Sequence, residues 1–481
     1  MTSNDLLALT ARELSQRIAA RELSCRELMQ ASLQRIAQLN GQFNALVSLR
    51  ADYELLAEAD ERDRQLAQGR RLGWMHGFPV AVKDLVDAKG LVTSMGSPAT
   101  PRQPAVRDVL FVERMKAAGA IVIGKSNTPE FGLGSHTYNN VFGTTRNAYD
   151  PSRSAGGSSG GAAVSLALGM VPVADGSDTG GSLRNPAGWN NVVGFRPSAG
   201  RVPTVPAEDV FFAQLATAGP MGRTVDDAAR LLATMAGRDE RSPLSLTDTL
   251  PDPDGADPIG CAPGQRIGWL GSIWPDLPTE PGVLELCETA LRKLEQAGCS
   301  VERCSLEFPR EQNWSAWLRL RQFLVGGKLG RVYADPRTRA LMKPEAVWEV
   351  EQSLALSGVQ LSEASVVRSS LYQVFRQLFT RFDYVVAPSA QVFPFDAALH
   401  WPTSVAGVAM DTYHRWMEIV TPFTLAGLPV ASVPVGFNAD GLPMGMQIVG
   451  PAHADLSVLA LARKHEQVSG FSRQRPPVLG S

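Results

Sequence analysis

Apolar residues over the first 65 or so positions recur at helical spacing. Thr10-Ala-Arg-Glu13 and Ser24-Cys-Arg-Glu27 both carry the pattern in which a hydroxyl and a glutamate cap a helix start reciprocally, and Met29, Leu33 and Ile36 follow the second at steps of four and three. A helical packing layer is predicted there. From Gly77 the period shortens. Residues 78–82 and 120–123 are short apolar runs divided by a helix-like stretch at 108–118, and such alternation predicts an α/β core. Residues 237–265 hold Pro243, Pro251, Pro253, Pro258 and Pro263 among Asp and Gly, the composition of a surface excursion or internal linker. Beyond it, 266–270 reads as a strand, 283–297 as a helix with Val283, Cys287, Ala290 and Leu294 on one face and Gly298 as its cap, and 300–304 as a strand. Residues 309–381 read as mainly helical. Runs at 430–435 and 444–449 flank Asn438-Ala-Asp-Gly441, which predicts a hairpin.

Charge removes several functional classes. The 481 residues carry 46 basic and 48 acidic side chains, a formal net charge of -2, so no long-range field draws in a phosphate backbone and no nucleic-acid partner is expected. Residues 154–174 and 419–439 are free of charge for 21 positions each, long enough for a membrane span. A Gly/Ser run opens the first, and Pro422, Pro429 and Pro434 break the second, so no membrane association is expected. The opening residues have Asp5 and no basic segment before an apolar core, which makes the cytoplasm the expected compartment. Cys25, Cys261, Cys287, Cys299 and Cys304 form no C-x-x-C pair and read as reduced, mostly buried thiols.

Two familiar patterns occur in the wrong setting. Gly119-Ala-Ile-Val-Ile-Gly124-Lys125-Ser126 matches the phosphate-loop expression, but its four intervening residues are those expected to form the strand itself. Gly156-Gly-Ser158-Ser-Gly160 matches the nucleophile elbow of α/β-hydrolases, yet Tyr149 to Ser154 is a poor strand to lead into it. His76, His136, His400, His414, His453 and His465 show neither metal-ligand spacing nor a triad context.

What remains is a dense run of Gly and Ser, 155–161, followed by Asp175-Gly-Ser-Asp-Thr-Gly-Gly-Ser182-Leu-Arg184-Asn-Pro186. Two flexible loops would account for it. So would a catalytic serine, because consecutive glycines let backbone N–H groups converge on one point without Cβ interference.

The segment 156–187 resembles the signature of the amidase signature family: a G-G-S-S-G-G run, then D-T-G-G-S-hydrophobic-R-x-P-A. Ser158 and Ser182 lie 24 residues apart as in that family, and Lys83, after Pro79-Val-Ala-Val82, precedes Ser158 by 75. Likeness continues in Gly124-Lys-Ser-Asn-Thr-Pro-Glu130, Ala387-Pro-Ser389 and 425–450, and is weakest between about 240 and 415. The resemblance implies one α/β domain with a mixed sheet wrapped by helices. Its parts would be an N-terminal helical layer (1–65), a catalytic core (66–236), the Pro-rich excursion (237–265), a variable helical substrate region (266–415) and a C-terminal core (416–481). It further implies Ser182 as nucleophile, Ser158 as a bridging serine at a cis peptide and Lys83 as base. The oxyanion donors would be the N–H groups of Thr179, Gly180, Gly181 and Ser182, with Asp178 and Arg184 bracing the loop. A lysine of reference pKa near 10.4 costs about 4.6 kcal/mol to hold neutral at pH 7, so such a base must be desolvated or set near positive charge.

The expected reaction is hydrolysis of a small-molecule carboxamide through an acyl-serine, with no metal or organic cofactor; a homodimer is left open. The alternatives are an A-type subunit of a glutamyl-tRNA amidotransferase, which belongs to the same family, and a serine hydrolase with a histidine base. Asn185, Trp189-Asn-Asn191 and Arg196 depart from the common pattern, and Gly200-Arg-Val-Pro-Thr204 from the usual amidotransferase sequence. Trp314, Trp317, Trp348, Trp401, Tyr413 and Trp416 crowd the least similar region; with Gly132, a pocket of Trp317, Trp314, Tyr413 and Trp416 would favour an apolar or aryl acyl group.

Overall fold

Both capping boxes form. Thr10 opens the helix Ala11–Ala19 and Ser24 the helix Cys25–Phe43, each hydroxyl accepting from the N–H three residues on while the glutamate there accepts from the cap N–H. These helices bury Leu14, Ile18, Leu28 and Met29, which makes the N-terminal region the packing layer its periodicity predicts. The computed structural model describes residues 3–212, 214–252 and 264–480. Cys261 and the prolines at 253, 258 and 263 lie outside the described residues. The rest of the excursion, 237–252, has neither helix nor strand.

The strands among the described residues are β1 (Leu46–Val47), β2 (Pro79–Lys83), β3 (Ile121–Ser126), β4 (Val173–Asp178), β5 (Val193–Arg196), β6 (Thr217–Gly222), β7 (Arg266–Trp269), β8 (Ser300–Arg303), β9 (Tyr384–Pro388), β10 (Ser404–Val405), β11 (Val408–Ala409), β12 (Val430–Phe437) and β13 (Pro443–Val449). Eight of them form one sheet in the order β4-β6-β5-β12-β13-β9-β7-β8. Pairing is antiparallel from β4 to β9 and parallel through β7 and β8, so the sheet is mixed and the fold is α/β. A smaller sheet, β1-β3-β2, carries Lys83 at the end of its parallel strand β2.

Side-chain alternation in the central strands creates two cores. Ala431, Val433, Met446, Ile448 and Val386 face one apolar cluster, shared with the N-terminal helices; Val430, Val449, Val385 and Ala387 face another, under the helices Arg310–Ala334 and Gly358–Arg381. One residue of displacement therefore decides which layer a side chain joins.

The β-α-β unit forms as predicted, with β7 and β8 parallel around the helix Val283–Gln296. The hairpin closes between β12 and β13, where Asn438 Oδ1 accepts from the N–H groups of Asp440 and Leu442. Within 266–415 the chain is not only helical, since β7, β8 and the unpredicted β9 all join the large sheet. Lys125 lies buried in β3 with Nζ donating to Val86 O and Thr93 Oγ1, so the phosphate-loop lookalike is a strand. No helix among the described residues is long and apolar enough to cross a membrane. Cys25, Cys287, Cys299 and Cys304 are free thiols.

Candidate active site

Strand β2 runs out of apolar residues at Lys83, which is 1% exposed. Its N–H donates to the Asp175 carboxylate at 3.2 Å, docking the strand end against β4. Its Nζ lies 2.8 Å from Ser158 Oγ, 2.8 Å from Ser159 Oγ and 3.1 Å from Ser177 Oγ. Burial pulls the Lys83 ammonium down to about 7, against the opposing pull of Asp175 and Asp178, and the positive charge of Lys328 adds to the fall. Burial likewise raises Asp175 to about 6, although the Lys83 N–H and charge act in the other direction.

Ser158 follows a cis Gly157–Ser158 peptide, and its loop is held by hydroxyls: Ser135 Oγ donates to Gly157 O at 2.6 Å and Thr137 Oγ1 to Gly156 O at 2.8 Å. The Ser159 N–H donates to Ser182 O at 3.2 Å, tying the first Gly/Ser loop to the second.

The second loop turns around a buried carboxylate. Asp178, last in β4, accepts from Arg184 Nε and Nη2 at 3.0 and 2.9 Å, from Arg196 Nη1 at 3.1 Å, and from the N–H groups of Gly181 and Leu183 at 3.0 and 3.1 Å. Burial alone would raise its pKa, but the two guanidiniums outweigh it and hold the carboxyl well below the usual range. Arg184 also donates to Val420 O, Gln447 Oε1 and Thr424 Oγ1, so the brace reaches the C-terminal core. Of the expected oxyanion donors, one has a hydrogen-bond partner within the loop. The Gly181 N–H already donates to Asp178, while those of Thr179, Gly180 and Ser182 have no partner among the described residues.

The expected pocket residues fall into two groups. Gly132 has φ of +73°, and a Cβ there would stand 3.6 Å from Ser158 Oγ and press on Leu85, so only glycine suits this wall. Trp317 Nε1 donates to Thr179 O at 3.2 Å, and a Cβ at Gly180 would meet its Cζ2 at 2.8 Å. The others stand further back. Trp314 stacks on Trp317 at 5.1 Å and is covered by Arg415; Trp416 packs between Trp189 and Phe395; Tyr413 stacks on His414 and donates to Glu349 Oε1. Trp314 and Trp416 are thus buried in the apolar core that also holds Trp317.

The buried histidines are engaged elsewhere: His76 with Arg62 O, His136 with Ala397 O and Ser154 Oγ, His414 with Thr412 Oγ1, and His465 with Pro434 O. Sequence reasoning missed Ser159, Ser177 and Asp175 as neighbours of Lys83, and Arg196 as the second cation on Asp178. Asp175 and Ser177 lie on one face of β4, but Asp175-Gly-Ser-Asp178 carries no strand signal that would have shown it.

The family model described as Amidase matches residues 27–459. The chain is 34% identical to the A-type subunit of the glutamyl-tRNA(Gln) amidotransferase of Symbiobacterium thermophilum, over 97% of this chain and 98% of that one. It is 31% identical to an acylamidase of Rhodococcus erythropolis, over 99% and 98%. Among solved structures, a bacterial aryl acylamidase of the amidase signature family superposes with a TM-score of 0.89 at 30% identity, covering 97% of each chain. With the match spanning most of its length, the chain belongs to the amidase family of amide-hydrolysing enzymes.

Proposed function

We propose that this enzyme hydrolyses a carboxamide through an acyl-serine, with Lys83, Ser158 and Ser182 as the catalytic residues. Neutral Lys83 accepts the Ser158 proton as Ser158 accepts that of Ser182, and Ser182 Oγ attacks the amide carbon. The N–H groups of Thr179, Gly180 and Ser182 stabilise the oxyanion. The proton returns through Ser158 to the leaving nitrogen, the C–N bond breaks, and water then cleaves the ester by the same route. One observation carries this assignment: a wholly buried lysine, drawn down to about 7, stands 2.8 Å from Ser158 Oγ. A base with that pKa is half neutral at working pH. Asp178 acts as a positioning residue by holding the 179–183 loop.

The substrate proposed is an amide with an apolar or aryl body, taken by the enzyme without partner chains. Support comes from Trp317 beside the loop and from the superposition on an aryl acylamidase. A second assignment, a component of an amidotransferase that draws ammonia from glutamine, is favoured by the 34% identity to the Symbiobacterium chain. Ammonia release from the isolated chain decides between them. Aromatic or medium-chain aliphatic amides should outrun glutamine, with kcat/KM rising about fourfold per added methylene until the pocket is full. A preference for glutamine would favour the amidotransferase assignment. A serine-directed label should add mass to the Ser182 peptide; label on Ser158 alone would overturn the assignment of the nucleophile.

A further inference from the structure

The helix Arg310–Ala334 meets the site through Trp317, and its other contacts orient it. Trp317 touches the 179–183 loop. One flank of its C-terminal half is packed, since Leu329 belongs to the small apolar cluster that includes Phe131 and Leu133, on either side of Gly132. The opposite flank meets the 208–212 loop, where Phe323 packs edge-on to Phe212 at 5.9 Å and Arg331 pairs with Glu208 at 3.4 Å. Between these flanks, on the same helical stripe as Trp317, Arg321 and Leu324, stands Lys328. Arg321 is taken up by Glu349, and Arg331 by Glu208. Lys328 has no hydrogen-bond or ion-pair partner among the described residues.

Lys328 presents much of its surface to solvent, while the surrounding protein lowers its pKa by desolvation. Its neighbour Leu329 shares a cluster with Phe131 and Leu133, which flank the Gly132 that abuts Ser158, so this half of the helix lies beside the serines. The charge of Lys328 is also felt by Lys83. Helical side chains lean toward the N-terminus, so the ammonium reaches back over the turn that faces the site.

We infer that Lys328 is a specificity-determining residue that binds a carboxylate, or another anionic group, at the end of the substrate remote from the scissile amide. Eleven residues separate Lys328 from Trp317, about 16 Å of helix axis less the backward reach of the lysine. The anionic group thus lies several carbons from the reacting carbonyl. Phe211 and Phe212, 60% and 71% exposed on the adjoining loop, offer apolar surface to the intervening chain. The preferred substrate is an apolar or aryl amide that ends in a carboxylate, such as a dicarboxylic acid monoamide.

This inference rests on the amide-hydrolase assignment proposed above, and the test separates the two. Ammonia release is measured for matched pairs, 4-carbamoylbenzoate against 4-methylbenzamide and adipamate against hexanamide. The wild-type chain should favour the carboxylate member of each pair. In Lys328→Met the ratio of kcat/KM within a pair should fall about 10- to 100-fold, the range for losing a charge-assisted hydrogen bond, and Lys328→Arg should restore most of it. Using a ratio within one enzyme cancels any change in Lys83, which would act on both substrates alike. An unchanged ratio in Lys328→Met, or a wild-type preference for the neutral members, would overturn the role of Lys328 and leave the amidase intact. If the wild-type chain releases ammonia from no amide and Ser182 takes no label, the underlying assignment fails instead.

Discussion

Lys83 and Trp317 reach the same cluster of loops from opposite sides. Lys83 arrives on a strand whose five residues are all buried, and its partners are hydroxyls and carboxylates that are themselves tied to backbone. Trp317 arrives on a 25-residue helix and makes one hydrogen bond, to Thr179 O; Trp314 stacks on it, His414 meets it edge-on and the Arg321 guanidinium lies over its ring. In the first region a changed residue leaves buried charge without a partner. In the second it changes the shape of a wall. The proposed chemistry would thereby be confined to the frame of β2, β4 and the two Gly/Ser loops, with the helical cover free to differ in what it admits.

The comparison is broken most severely at the base. Lys83→Ala should lower kcat by several powers of ten without unfolding the protein, since base and nucleophile act as a unit. In the wild type only the neutral amine is active, so kcat/KM should rise with pH and level off above a midpoint near 7. A rate that falls as pH rises through 7 would exclude this base.

Asp178→Asn tests whether the frame depends on a buried charge. It leaves Arg184 and Arg196 facing each other without their carboxylate and should cost about 3–5 kcal/mol in denaturant unfolding. The wild-type carboxyl is held below its ordinary value, so its contribution is complete above about pH 4 and is lost only as pH falls further. The variant should lack that acid dependence.

Trp317→Phe sharpens the contrast from the other side. It keeps an aromatic ring on the helix but removes the bond to Thr179 O and the indole edge that meets Gly180, and should cost about tenfold in kcat/KM, as expected for one neutral hydrogen bond. A loss as large as that of Lys83→Ala would place the cover inside the catalytic frame. The smallest effect belongs to the N-terminal layer. Ser24→Ala removes a cap and should cost about 1 kcal/mol of stability with kcat unaltered, measured by thermal unfolding and ammonia release together.

Much of this was legible in the chain because local chemistry leaves local marks. Capping boxes, the β-α-β unit and the hairpin turn are specified within a few residues, and all form. Strands β4, β5 and β6 were not. They contain Gly, Asp and Pro, residues poor in intrinsic strand preference, and they hold their place through pairing across the sheet. The serines and Lys83 stood out by motif and spacing. Their neighbours Ser177 and Arg196 did not, since an isolated serine or arginine carries no sign of what it faces.

The sequence by itself determined the α/β class, the family and the three residues on which the chemistry is proposed to turn, because these reside in short ordered motifs. Only the tertiary structure decided that Lys83 is buried enough to fall to about 7, that the Gly181 N–H donates to Asp178, and that Trp314 and Trp416 pack in the apolar core. Desolvation, hydrogen-bond competition and ring packing each depend on groups tens to hundreds of residues away, and no local pattern records them.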